Sequence, residues 1–193
     1  MRLIEYDDQI GLMKQIDSYN LLKNQRIFSA LPKESIVDSS KKKNRHPIVL
    51  VTNNEIVTTF FILQEKEGIE TYSDNKHAIL LRSFSTNSKY QGNGFAKKAL
   101  QLLPSYIRSH FESINEIVLA VNSVNNVAIT LYKKCGFIDT SRRIKTEYGS
   151  LIDLDVYKRQ IKELSKIGSI FMKTIVQRNR LIKSNDNGNL RRE

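Results

Sequence analysis

Gly92 and Gly94 stand one residue apart in the segment NSKYQGNGFAKKAL, after the apolar run AILLRSFST. The spacing of Ala96, Ala99, Leu100, Leu103 and Ile107 predicts a helix directly behind them. Two residues without Cβ let a ligand approach the main chain and its N–H groups. The helix aims its unpaired N–H groups and the positive end of its dipole at the same spot. That combination is an anion site, and phosphate is its natural guest. A dinucleotide fingerprint would want a third glycine where Lys97 stands, and a P-loop would want Gly-Lys-Ser/Thr, which the segment lacks.

A second segment, VNSVNNVAITLYKKCGF, predicts a helix capped by Asn125 or Asn126 and ended by Gly136 in the left-handed region. Tyr132 lies on it. Its phenol stays protonated at neutral pH and suits a general acid, although a ring at that spacing also reads as a packed aromatic. Asn125 can also be read as a helix cap only. Cys135, the single cysteine, reads as a buried apolar filler and leaves no internal disulfide. His46, His77 and His110 show no ligand spacing, so no metal is expected.

Around these segments the chain must build a scaffold. MRLIEY predicts a short strand, and Ile10, Met13 and Ile16 predict a helix over Asp8–Tyr19. Residues 21–46 carry no clear period, and Lys41-Lys42-Lys43 reads as a solvated loop. PIVLVTNNEIVTTFFIL predicts a hairpin whose turn uses Asn53-Asn54 for positive φ. AILLRSFST and EIVLAV are strands joined through the glycine-led helix, a crossover that makes them parallel. Pro104 should kink that helix or end it early. FIDTSRRIKTEYGSLIDLDVY predicts a closing hairpin turning near Gly149, so the sheet is mixed and the class is α+β.

The chain has 193 residues, enough for one domain with an appendage, and 40% of them are hydrophobic. No apolar run spans a bilayer and the N-terminus lacks a secretory pattern, so a cytoplasmic protein is expected. The net charge is +11, but residues 158–193 hold 10 Lys+Arg against 3 Asp+Glu, a difference of +7. The expected division is a body over 1–157 and a basic extension over 158–193. In the extension Ile161, Leu164, Ile167, Ile170 and Phe171 are spaced like an amphipathic helix, ahead of a polar, frayed end.

QGNGFA also fits the pattern Gln/Arg-x-x-Gly-x-Gly/Ala at Gln91, Gly94 and Ala96. VNSVNNVAITLYKKCGF fits Asn-x-x-Ala-x-x-(x)-Tyr-x-x-x-Gly-Phe at Asn125, Ala128, Tyr132, Gly136 and Phe137. The two together, in that order, resemble the GNAT superfamily of acyl-CoA-dependent N-acetyltransferases, over residues 1–157 and most weakly in 21–46. The resemblance implies a sheet splayed between AILLRSFST and EIVLAV, with flanking helices. It implies that main chain of Phe84, Ser85 and Thr86 pairs with the pantetheine of acetyl-CoA. Gln91, Gly92, Asn93, Gly94, Phe95 and Ala96 would wrap its pyrophosphate, Asn125 would hydrogen-bond the pantetheine, and Tyr132 would sit near the sulfur.

Acetyl transfer to a primary amine of a small molecule or peptide makes three demands. The amine must be neutral, the carbonyl oxygen needs a fixed donor, and the departing thiolate benefits from a proton. Tyr132 suits the last, and an irregularity near Phe84–Ser85 would supply an N–H for the second. No base stands out, since AILLRSFST has no carboxylate. Ser83 and Ser85, read as sharing a strand face, could hold a water chain, Glu116 is a distant candidate, and direct transfer to an amine arriving neutral also fits. Arg82 reads as an edge charge or as a contact to CoA phosphate or acceptor. The alternative is a silent acyl-CoA-binding module of the same fold. Nucleic-acid binding through the basic extension ranks last, because the body lacks a basic, aromatic face.

Overall fold

Seven strands form one sheet in the order β1-β2-β3-β4-β5-β7-β6 in the computed structural model, which describes residues 1–7, 11–147 and 151–161. The strands are β1 (Arg2–Glu5), β2 (Arg45–Val51), β3 (Val57–Gln64), β4 (Ala78–Thr86), β5 (Glu116–Asn122), β6 (Ile138–Glu147) and β7 (Leu151–Gln160). All neighbours run antiparallel except β4 and β5, which are parallel, as the crossover between them requires. The class is α+β, a mixed sheet flanked by helices, as expected.

Side-chain alternation divides the sheet into two apolar faces. On one, Phe61, Leu63, Ile79, Leu81, Ile117 and Leu119 pack beneath α4 (Phe95–His110), which contributes Ala99, Leu100, Leu103 and Ile107. Tyr132 of α5 (Asn126–Lys134) joins the same cluster. On the other face, Val49, Val51, Phe60 and Ile62 meet Leu12, Ile16, Tyr19 and Leu21. A smaller cluster there joins Leu80 and Val118 to Ile69 of the β3–β4 connection.

The N-terminal helices are shorter than the spacing suggested. α1 covers only Met13–Asp17, Met13 is exposed, and the buried positions are Leu12, Ile16 and Tyr19; Ile10 lies outside the described residues. Within 21–46 the chain forms α2 (Lys23–Arg26) and α3 (Pro32–Ser40). Both are set by their first turns rather than by apolar period. Pro32 has the φ a first helical residue needs, and Glu34 accepts from the Leu31 N–H at 2.9 Å. In the β2–β3 turn the positive φ, 58°, falls on Glu55 rather than on Asn53 or Asn54. The Arg2 guanidinium grips the Glu55 carboxylate with two bonds of 2.8 Å.

Helix α4 neither ends nor breaks at Pro104 but runs on to His110. Proline at position 104 deprives the Leu100 carbonyl of its helical donor. Arg159 of β7 supplies one, with Nη1 donating to Leu100 O at 3.0 Å. Arg159→Met should therefore destabilise the protein by about 1–3 kcal/mol, the cost of leaving a buried carbonyl unsatisfied. Adding Pro104→Ala returns an N–H to the helix and should recover part of that loss in urea unfolding. Equal destabilisation with and without Pro104→Ala would refute the pairing.

Strand β7 also continues three residues past Tyr157, where the sequence reading ended the hairpin, and Ile161 is buried in the main core. Ile161 thus belongs to the sheet's packing and not to an appended helix, and Met1–Ile161 form one compact unit. The turn near Gly149, and the rest of the proposed extension, lie outside the described residues.

Candidate active site

The pairing of β4 with β5 ends at Leu81 and Leu119. Beyond that point β4 continues to Thr86 paired only with β3, and β5 continues to Asn122 paired with β7. The sheet is split between two strands whose facing edges lack ladder bonds from Arg82 and Ala120 onward. The split begins where β4 is irregular: Ser83 has φ 50° and the β3–β4 register shifts between Phe60 and Ile62. That bulge breaks the alternation that would have set Ser83 and Ser85 on one face. Ser85 is buried, its Oγ 3.2 Å from the hydroxyl of Tyr19.

Past Thr86 the chain makes a short 3-10 turn (Ser88–Tyr90), begun by Asn87 Oδ1 accepting from the Lys89 N–H, and then reaches the glycines. Gly92 and Gly94 have φ of 77° and 76°, and a Cβ built on either would meet no atom within 4 Å. Glycine is needed here for the turn's conformation, and the space beside it is open. The first helical bond of α4 runs from Lys98 N–H to Gly94 O, so the N–H groups of Phe95, Ala96 and Lys97 precede the ladder. Lys89, Lys97 and Lys98 are exposed around the turn and add positive charge to the dipole end.

Gln91 is a strut. Both hydrogens of its Nε2 are committed, one to Thr86 O at 2.9 Å and one to Gln25 Oε1 at 2.7 Å. Its side chain shapes the turn and ties it to α2, and neither Gln25 nor Tyr19 was found by sequence reading. Gln25 sits in a stretch without apolar period, Tyr19 closes the helical stretch before it, and the contacts of both are sequence-distant.

Across the split, Asn125 caps α5, its Oδ1 accepting from Ala128 N–H at 3.2 Å. Tyr132, 7% exposed, packs on Phe84 and Phe137 with ring centroids 6.1 and 5.7 Å away. Phe84 belongs to the irregular end of β4, so the tyrosine stands at the split. Burial holds its phenol's pKa above the ordinary value, with a smaller push from Cys135. Cys135 is itself buried, and desolvation raises its thiol too.

Glu116 is removed from the site. It faces Ala78 at the far end of the β4–β5 ladder, accepts from Ser73 Oγ at 2.6 Å and from Gln160 Nε2, and lies 3.7 Å from Lys158 Nζ. A carboxylate so engaged is a structural anchor of β5. Among the described residues no cluster of His, Cys, Asp and Glu is placed to hold a metal, and no helix is long and apolar enough to cross a membrane.

Split strands, a bare glycine turn and a tyrosine-bearing helix define a recurrent arrangement, and a family model for the acetyltransferase (GNAT) family matches residues 16–137. The chain belongs to the GNAT acetyltransferase family. This GNAT chain is an acyltransferase, and it is 37% identical over 131 residues to the uncharacterized N-acetyltransferase YbbJ of Bacillus subtilis (strain 168), covering 68% of this chain and 82% of that one. A spermidine N-acetyltransferase from Vibrio cholerae, solved with CoA and spermine, superposes with a TM-score of 0.62 at 16% identity, covering 82% of this chain and 94% of that one. The ribosomal-protein-S18-alanine N-acetyltransferase of Escherichia coli gives 0.57 at 17%, covering 84% and 94%. One fold thus serves relatives named for a polyamine and for a protein alanine.

Proposed function

We propose that the protein transfers the acetyl group of acetyl-CoA directly to a primary amine of a small molecule or peptide, with Met1–Ile161 as the working domain. The observation that carries this reading is the coincidence of unpaired β4 and β5 edges with an open, cationic glycine turn. The N–H groups of Gly92, Asn93, Gly94, Phe95 and Ala96 hold the pyrophosphate, with Gln91 fixing the turn. Main chain of Phe84, Ser85 and Thr86 pairs with the pantetheine, and Asn125 donates to it through Nδ2 while its Oδ1 caps α5. The irregular backbone at Ser83–Phe84 presents an N–H to the oxygen on which charge develops. As the amine nitrogen bonds to the acetyl carbon, the C–S bond breaks, the amine gives its surplus proton to solvent water, and Tyr132 gives one to the departing sulfur and regains one from solvent.

The absence of a carboxylate on β4 favours a second reading, a CoA-binding module without turnover. Release of CoA thiol across an amine panel, set beside thermal shift with acetyl-CoA alone, separates the two. A ligand seen only by the native state stabilises it by about 2.7 kcal/mol at a hundredfold excess over Kd. That shift should survive truncation after Ile161, the last core residue of β7. No shift at millimolar acetyl-CoA in folded protein would remove the assignment.

A further inference from the structure

Gln25 Oε1 accepts two hydrogen bonds, one from the Leu22 N–H at 3.2 Å and one from Gln91 Nε2 at 2.7 Å. The orientation of its amide is fixed, because the flipped group would turn an NH2 toward two donors. The first bond closes the opening turn of α2, and the second reaches the strut of the glycine turn. The other hydrogen of Gln91 Nε2 goes to Thr86 O, at the end of β4. One oxygen atom thus joins α2 to the cofactor turn.

Two further bonds run beside it. The Tyr19 hydroxyl lies 3.2 Å from Ser85 Oγ, and the Ser88 N–H donates to Asn20 O at 2.8 Å. Tyr19, Asn20 and Gln25 therefore meet Ser85, Ser88 and Gln91 in the same order, from the split end of β4 through the 3-10 turn to the glycines. Neither side of this seam is rigid alone. Helix α2 has four residues, far fewer than an isolated helix needs, and none of them is buried, so packing adds little to it. The glycine turn has no side chain at 92 or 94 to restrict it, and no atom lies within 4 Å of a Cβ built on either. Each side holds the other, and a turn fixed before its ligand arrives binds with less loss of conformational freedom.

We infer that Gln25 is a positioning residue of the acetyl-CoA site, acting through Gln91, and that occupancy of the glycine turn is coupled to order in α2. The inference rests on the reading of that turn as the pyrophosphate site. By linkage the coupling runs both ways: what an ordered α2 adds to acetyl-CoA affinity, acetyl-CoA returns as order in α2. Calorimetry on the full chain gives acetyl-CoA affinity for the unsubstituted protein, Gln25→Met, Gln91→Met and the double variant, and urea unfolding reports their stability. Gln25→Met keeps the length of the side chain and removes the accepting oxygen. It should weaken acetyl-CoA about three- to tenfold, the worth of one neutral hydrogen bond. Added to Gln91→Met, the same substitution should cost less than about twofold more, since the path is already cut. Hydrogen exchange reads the reverse direction. Acetyl-CoA should slow exchange across residues 22–28 of the unsubstituted protein, and in Gln25→Met that protection should disappear while protection of 92–98 remains.

Lowered urea stability of Gln25→Met with unchanged acetyl-CoA affinity makes the contact merely structural and overturns the inference. Losses that simply add in the double variant, or protection of 22–28 that survives Gln25→Met, overturn it too. All three leave the pyrophosphate reading standing. If Gln25→Met does not fold, exchange in Gln91→Met decides: protection at 92–98 without protection at 22–28 upholds the coupling, and any other pattern overturns it. No acetyl-CoA binding by the folded, unsubstituted protein removes the cofactor reading itself, and the inference falls with it.

Discussion

Tyr132→Phe should lower turnover by about 10²–10⁴-fold, the usual worth of general acid catalysis, and should leave acetyl-CoA affinity nearly unchanged. The ring keeps its packing on Phe84 and Phe137, so only the hydroxyl proton is lost. A phenol with a pKa raised by burial looks a poor donor to a thiolate. The same burial acts on the sulfur, however. Desolvation disfavours any buried anion, so a CoA thiolate formed beside Tyr132 would be destabilised as the phenolate is, and proton transfer to it would be favoured.

The sign of the pH dependence follows. An acid whose pKa is raised remains protonated through the ordinary phenol range, near pH 10, so Tyr132 causes no loss of rate up to there. Below it the rate should climb with pH as the acceptor amine sheds its proton. In Tyr132→Phe the same climb should persist at a lower level. An effect smaller than about threefold, with chemistry shown to be rate-limiting, would mean the thiolate leaves unassisted and Tyr132 is a packed aromatic.

Local signals were legible in the sequence and long-range ones were not. The glycine turn, the Asn125 cap and the parallel crossover follow from residue type and spacing over a few positions, which is why both signature segments could be placed on their elements. Pro104 misled for the same reason. Its local effect is to break a helix, and the compensating donor, Arg159, lies 55 positions on in β7. The alternation that sets Ser83 and Ser85 on one face is interrupted by a bulge that it cannot foresee. Gln64 drew no reading from the sequence, and only the fold brings Arg45 and Arg82 onto its amide oxygen. Helix α3 carried a usable signal, Pro32 followed by Glu34, but α2 and α3 have too few turns for a period to show.

Gly94→Val should weaken acetyl-CoA binding by about a hundredfold, more than it harms folding. Two costs are involved and they can be separated. The left-handed φ of 76° penalises any Cβ by about 1–2 kcal/mol, and β-branching adds to it. No protein atom lies within 4 Å of the added Cβ, so the fold leaves that atom open space. If the open space belongs to the pyrophosphate, the side chain instead displaces it from the turn's N–H groups, each charge-assisted bond being worth about 1.5–3 kcal/mol. Gly94→Asn tells the two apart, because asparagine tolerates positive φ but fills the same space. Loss of acetyl-CoA affinity in both variants, with both folded, assigns the space to the ligand. If Asn binds normally and Val does not, the glycine serves only the turn's conformation. If folded Gly94→Val binds as the unsubstituted protein does, the pyrophosphate lies elsewhere and the anion site read from QGNGFA is wrong.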